Sequence, residues 1–278
     1  MSRFGLLASY PRSGNTWVRA VLSALVRGNG QLDINALEGA IASDRSLVDD
    51  ALEIETSDLL PDEERRLRPD AFRHWLPARA RTFPLKTHDA WLPAAGATQP
   101  PFPREKIAAV VLIVRDPRDV VVSFAHYYGL TIAEAIETVG HPRFSLGTST
   151  TGLRPQVSQL VSSWSRHTAS WRDSSLPLTL IRYEDLLAVP LESFASIARA
   201  FEYPTAPDLL TRAIDAARLD GLRAAEALTG FRESSRFAPN RFFGAGTAGG
   251  WRTTLTAAQA SRIVDDHGIV MRDMRYHD

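Results

Sequence analysis

The chain has 278 residues, 44% of them hydrophobic, and its 32 lysines and arginines balance 32 acids. That length holds one large α/β domain or two small ones, and the composition can fill a sizeable core. Zero net charge gives no footing for general nucleic-acid binding or a polybasic membrane surface. The absence of cysteine excludes disulfides, thiolate metal sites and cysteine nucleophiles.

The first residues, MSRFGLLASYPRSG, lack the long apolar stretch of a secretory leader. The longest strongly apolar run, Ile107 to Val114, is too short to span a bilayer. The expectation is a soluble cytoplasmic protein. Gly5 to Ser9 reads as a short buried strand. It runs into SYPRSGNTW, Ser9 to Trp17, a polar loop with one glycine ahead of a helix-periodic segment. Gly14 to Arg27 reads as that helix, with Trp17, Val21 and Leu25 on one face and Arg19, Ser23 and Arg27 on the other. Such a strand–loop–helix directs free amides at an anion. Gly14 permits close approach, Ser13, Asn15 and Thr16 add short donors, and Arg12 adds charge. The GxxxxGK[ST] pattern of triphosphate-binding loops is absent, and an ordinary capping loop is the competing reading.

Gln31 to Arg79 is mixed and carries eight acids between Asp49 and Glu64, which reads as solvated helices and loops. Thr82 to Lys86 reads as a short strand leading into Lys86-Thr87-His88. Lys86 is one of only two lysines in the chain. Alternation puts Lys86 and His88 on one side of the strand end. A histidine near neutral pKa suits a general base, and a lysine beside it can stabilise charge on a transferred group. The bland alternative is a surface lysine and a loop histidine.

Ala90 to Pro103 is a proline-rich loop. Ile107 to Val114, IAAVVLIV, reads as a strand covered on both faces, as in a parallel sheet. Asp116 then reads as an N-cap, Pro117 as the first helical residue and Asp119 as the first-turn acid of a helix to about Tyr128. Arg115 leaves the carboxyl end of that strand, and Ser123 lies two turns into the helix. Both can grip a second phosphate there. The competing readings are an ion pair of Arg115 with Asp116 or Asp119, and a packing role for Ser123.

Thr131 to Pro155 is rich in Gly, Ser and Thr, of low periodicity, and reads as partly mobile. Val157, Leu160, Val161, Trp164, Thr168 and Trp171 follow a helical spacing from Val157 onward. Leu178 to Ile181 is a strand, and Tyr183 after it can meet a nucleotide base or simply close the core. Helices follow around Leu191–Phe201 and Leu209–Ile214. Phe237 to Gly250 is a glycine-rich loop, and Thr256-Ala-Ala-Gln259 starts a last helix with a capping box. Alternating short strands and helices predict a single α/β domain over residues 1–278, with a central, mostly parallel sheet flanked by helices.

In order along the chain, YPRSGNTW, KTH, RDPRDVVVS, YEDL and GTAGGW resemble the cytosolic-type sulfotransferase family. That family uses 3′-phosphoadenosine 5′-phosphosulfate (PAPS) and yields 3′,5′-adenosine bisphosphate (PAP). The resemblance runs from Tyr10 to about Thr256. It implies that Arg12, Ser13, Gly14, Asn15, Thr16 and Trp17 hold the 5′-phosphosulfate, with Trp17 near the adenine. It implies His88 as general base and Lys86 at the transferring sulfuryl group. It implies Arg115 and Ser123 at the 3′-phosphate, Tyr183 at the nucleotide, and Gly246 to Trp251 closing over the 3′-phosphate, with no metal.

This chain departs from the family pattern at Arg12, where the family has lysine. It departs also at Gly244-Ala245, where an Arg-Lys pair is expected, and at Ala217-Arg218-Leu219, where adenine contacts are expected. Arg241 is the first candidate to replace the missing cations, ahead of Arg236, Arg218 and Arg252. The acceptor is expected to be a small molecule with an apolar or aromatic body, not a nucleic acid. Its pocket is expected among Phe83 to Phe102, Phe124 to Tyr128 and Thr131 to Pro155, with aromatics Phe83, Trp91, Phe102, Phe124, Tyr127, Tyr128 and Phe144. A homo-oligomer is possible. The alternatives are a phosphate-loop kinase of a small molecule and a non-catalytic nucleotide-binding protein.

Overall fold

The computed structural model describes residues 3–28, 32–75, 84–148, 152–234 and 240–276. Strand β1 (Phe4–Ser9) turns into α1 (Asn15–Arg27), followed by β2 (Ala40–Ile41), α2 (Arg45–Leu52) and α3 (Pro61–His74). Next come β3 (Pro84–Thr87), β4 (Ile107–Val114), α4 (Pro117–Tyr128), α5 (Ile132–Gly140), β5 (Ser145–Leu146) and β6 (Gln159–Leu160). The chain continues through α6 (Trp164–Arg172), β7 (Leu178–Arg182), α7 (Tyr183–Ala188), α8 (Pro190–Ala200) and α9 (Pro207–Ala216). It ends with α10 (Leu219–Thr229), α11 (Trp251–Thr254) and α12 (Ala257–Asp273).

Five strands form one sheet in the order β2-β3-β1-β4-β7, every pair parallel. Strand β4 explains why. Its side chains are apolar on both faces, so both faces must be covered. Val110, Leu112 and Val114 join Leu6, Ala8, Phe72, Phe124 and Trp164 in one core. Val111 and Ile113 join Leu7, Val18, Val21, Phe194 and Ile197 in the other. Each such buried side chain contributes roughly 1.5–3 kcal/mol.

A parallel register brings the carboxyl ends of β1, β3, β4 and β7 to one edge. Ala8 lies beside Thr87 and Leu112, Ser9 beside Ile113, and Val114 beside Arg182. The chain builds first to one side of β1, through β3, and then to the other, through β4 and β7. Its order therefore reverses at β1, which is where open α/β sheets bind their ligands.

The helix after β4 forms as its sequence predicts: Asp116 accepts from the Arg118 amide, Pro117 is the first residue, and left-handed Gly129 ends it. The Thr256–Gln259 capping box is also present. Two segments differ. Thr131 to Pro155 contains a regular helix, α5, opened by a Thr131–Glu134 capping box, so part of that stretch is periodic. Val157 to Val161 is extended, not helical. Its backbone amides account for this: the Val157 amide donates to the Ser43 carbonyl, the Ser158 amide to the Glu64 carboxylate and the Val161 amide to the Phe144 carbonyl. Left-handed Ser162 then turns the chain, and Ser163 caps α6. The apolar spacing from Val157 suits either form; the partners of the intervening amides decide. Thr82, Phe83, Arg236 and Phe237 lie outside the described residues.

Candidate active site

The turn after β1 is shaped by two left-handed residues, Arg12 (φ 68°) and Gly14 (φ 100°). Only glycine fits at 14. A Cβ there would meet the Tyr183 ring at 2.7 Å, and positive φ is strained for any side chain. Gly14 is the N-cap of α1 and supplies no side-chain cap, so the first amides of α1 have no acceptor within the helix. The Ser13 hydroxyl beside them is buried without a hydrogen-bond partner. Asn15 turns the other way. Its side-chain amide donates to the Leu7 carbonyl at 3.0 Å and to the Ser9 hydroxyl at 3.3 Å, tying the loop to β1. Asn15 therefore offers the site its backbone rather than its side chain. Trp17 packs edge-on against Tyr183 and Phe194.

Arg12 is partly buried. Its Nε donates to Ser123 Oγ at 3.2 Å and its Nη2 to the Phe242 carbonyl at 2.7 Å. The guanidinium lies over the Tyr127 and Phe242 rings, 4.4 and 4.7 Å from their centroids. Arg115 is buried. It donates to the Arg12 and Thr247 carbonyls, both at 2.9 Å, and sits 4.4 Å over the Tyr183 ring. Its Nε has no hydrogen-bond partner. Neither arginine forms an ion pair with a carboxylate among the described residues. Asp116 is taken by Arg118 at 2.9 Å. Asp119 accepts from the Gly249 amide at 2.6 Å and the Trp251 amide at 2.9 Å. Glu226 accepts from the Phe242 and Phe243 amides at 2.7 and 3.1 Å. The two guanidiniums thus face one crevice with neutral oxygens as partners, in a setting where burial without a counter-charge is costly.

At the end of β3, the His88 Nδ1 lies 2.8 Å from the Ser9 carbonyl. A carbonyl only accepts, so this nitrogen carries the proton and leaves Nε2 as the ring's acceptor. Burial, reinforced by the charge of Lys86, lowers the His88 pKa to about 3, so the ring is neutral around pH 7. The KTH segment is pinned from below: buried Arg68 of α3 forks onto the next residue, Asp89, at 2.8 and 2.7 Å, and Thr87 donates to the same carboxylate. Lys86 Nζ lies 2.8 Å from Glu233, whose other oxygen is 2.6 Å from Arg19 Nη1. The sequence reading missed Glu233 as a partner, and placed Arg19 on the far face of α1. Its only signal was a charged residue recurring on a helix that proves buried nearly all round.

Most of the residues predicted for the site line a cleft of about 1900 Å³; buried Ser13 does not. Single-ligand pockets run roughly 300–1,000 Å³, so there is room for two reactants. Arg12, Gly14, Asn15, Thr16, Trp17, Lys86, His88, Arg115, Ser123, Tyr183 and Gly246 all line it. Arg241 does not. It is exposed outside the cleft, whereas Arg218 lines it at the start of α10. Gly246 packs tightly there, since a Cβ on it would meet Leu219 at 2.3 Å. Of the aromatics expected around an acceptor, Tyr127 and Tyr128 line the cleft with Phe242. Trp91, Phe102 and Phe124 are instead buried in the core under the sheet, with Phe144 packed against them.

The fold has known counterparts. Retinol dehydratase in complex with androsterone and PAP superposes with TM-score 0.63 at 19% identity, covering 97% of this chain and 80% of that one. The same enzyme with retinol and PAP gives 0.63 and 19%, over 97% and 81%. Mouse sulfotransferase SULT7A1 complexed with PAP gives 0.61 and 20%, over 98% and 84%. The family model described as the sulfotransferase domain matches residues 5–275. By that match across nearly its whole length, the chain belongs to the sulfotransferase family.

Proposed function

We propose that the cleft binds PAPS and that the protein transfers its sulfuryl group to a hydroxyl or amine of a small-molecule acceptor. The observation that carries this reading is the pair of guanidiniums, Arg12 and Arg115, held at the switch point without carboxylates and beside an unpartnered buried Ser13 hydroxyl. Such a cradle suits a nucleotide with two separate anionic groups. When bound, PAPS supplies the sulfuryl group, whose bond to the 5′-phosphate breaks as the bond to the acceptor forms.

The first amides of α1, Ser13, Thr16 and Arg12 hold the 5′ end. Arg115, Ser123 and the backbone around Gly246 hold the 3′-phosphate, with Arg218 supplying charge from the rim in place of the absent Arg-Lys pair. Trp17 and Tyr183 flank the base. Ser123 is already joined to Arg12, so the two phosphate groups share one hydrogen-bonded framework. His88 Nε2 takes the acceptor proton, and the neutral tautomer fixed by the Ser9 carbonyl is the one able to do so. Lys86 offsets charge on the transferring group, and fixed cations with good placement supply most of the rate, as in phosphoryl transfer. Tyr127, Tyr128 and Phe242 offer an aromatic wall to the acceptor. The androsterone and retinol held by the structural counterparts fit that kind of surface.

The test has two arms. PAP raises the thermal midpoint and ATP with Mg²⁺ does not; the opposite result supports a kinase. Labelled sulfate then passes from PAPS into a mixed acceptor pool, and His88→Ala cuts the rate by about 10²–10⁴-fold while keeping the PAP shift. PAP binding with no transfer to any acceptor supports the non-catalytic reading instead.

A further inference from the structure

The Lys86–Glu233–Arg19 chain lies at the cleft, yet the roles assigned above use only its lysine. Its three members come from distant parts of the sequence: β3, the segment after α10, and α1. Their side chains are 9%, 14% and 4% exposed. Glu233 is held on both oxygens, by Lys86 at 2.8 Å and by Arg19 at 2.6 Å. Arg19 is anchored in turn, its Nε donating to the Glu38 carbonyl at 3.0 Å. The Glu38 carboxylate is directed to the Tyr203 hydroxyl at 2.8 Å, so it does not compete for Arg19. An ammonium has three donors. Glu233 uses one and leaves two for a group in the cleft.

We infer that Glu233 is a positioning residue: clamped by Arg19, it keeps Lys86 charged and aimed at the sulfuryl group of the donor. This deepens the proposed function and rests on it. Burial lowers the Lys86 pKa, opposed chiefly by Glu233, while Arg19 and Arg12 push it further down. His88, on the same strand end, is neutral and adds no charge. Glu233 is therefore the carboxylate that counters two arginines and burial around this lysine. Burial works to raise the Glu233 carboxyl, but Lys86 and Arg19 outweigh it and hold it well below the ordinary range. The carboxylate stays ionised over any working pH, so its effect on Lys86 is constant. A plug that merely filled the sulfuryl position in the empty cleft would act in the opposite direction, since removing it would strengthen donor binding.

The experiment compares PAPS and PAP binding by titration calorimetry between pH 6.5 and pH 9.5. PAP lacks the sulfuryl group, so the ratio of the two affinities reports the contacts made to that group, and its pH dependence above pH 6.5 follows the charge of Lys86. In the wild type the ratio falls only towards the alkaline end of the range. In Glu233→Gln it falls at least fivefold, with its midpoint at least one pH unit below that of the wild type, and Glu233→Asp restores most of it. PAP binding by both variants confirms that they are folded. A Glu233→Gln curve that overlays the wild type overturns the inference. So does a variant that favours PAPS more strongly at every pH, which identifies a plug. Failure of the wild type to bind PAP at all overturns the donor assignment itself and is seen before any variant is made.

Discussion

Two pairs of arginines lie close to the same sheet edge and are treated in opposite ways. Arg68 and Arg118 are closed off by carboxylates: Arg68 forks onto Asp89, and Arg118 grips Asp116. Arg12 and Arg115 have carbonyls, a hydroxyl and aromatic faces. The first pair is finished as it stands and holds the backbone around His88 and the start of α4. The second pair has no carboxylate partner among the described residues, which suits it to the anion proposed for the cleft. Ion pairing, more than burial, separates the two pairs.

The comparison can be broken at its strongest point first. Arg68→Ala leaves Asp89 buried without its partner and is expected to cost about 3–5 kcal/mol of stability, read as a lowered denaturation midpoint with or without PAP. If that variant is as stable as the wild type, the closed pair is not structural. Arg115→Ala is expected to differ. It removes a cation with no counter-ion and strands no buried carboxylate, so the ligand-free stability falls by less than in Arg68→Ala, by about 1–3 kcal/mol for the two carbonyl hydrogen bonds lost. PAP affinity falls by about 10- to 150-fold, the range for a lost hydrogen bond to a charged group of about 1.5–3 kcal/mol. An Arg115→Ala protein that unfolds readily yet binds PAP normally sinks the distinction. The smallest effect is at the rim. Arg218, beside a weak contact with Asp220 at 3.7 Å, is well exposed. Arg218→Ala is expected to weaken PAP about two- to fivefold, as exposed charges contribute little. The same substitution leaves adenosine 5′-monophosphate binding unchanged, because that ligand lacks the 3′-phosphate. Equal loss for both ligands removes Arg218 from the 3′ site.

The edge was readable in advance because each loop follows its strand directly. Ser9, Thr87, Val114 and Arg182 end strands in parallel register, so the residues after them had to meet once the strands were recognised. Gly14 was readable because a phosphate-binding turn needs a residue free of Cβ. Other features depend on partners that sequence spacing does not name. The direction of the Asn15 side chain follows from Leu7 and Ser9, eight and six residues back and on a different element. Glu233 meets Lys86 across 147 positions with no periodic signal. Trp91, Phe102 and Phe124 carry the right chemistry for a pocket, but face the core, where Trp171 of α6 packs on Trp91, Phe72 of α3 on Phe102 and Phe144 on Phe124. The α5 helix is a different case. Its Thr131–Glu134 capping box is spelled out in the sequence, but a reading by Gly, Ser and Thr content alone passes over it.

The segment between α10 and α11 is fastened at both ends by carboxylates that bind main chain. Glu226 holds the amides of Phe242 and Phe243, and Asp119 holds those of Gly249 and Trp251. Backbone amides are common to every residue but proline, so the fastenings do not depend on side chains; between them Gly246 admits no Cβ, while one added at Gly244 meets nothing within 4 Å. Gly244 and Ala245 can therefore stand where the resemblance to the sulfotransferase pattern implies two cations. This makes the pair a tolerant place for evolution or an engineer to rewrite the recognition of the proposed 3′-phosphate. Gly244→Arg with Ala245→Lys would write that implied pair onto an intact frame.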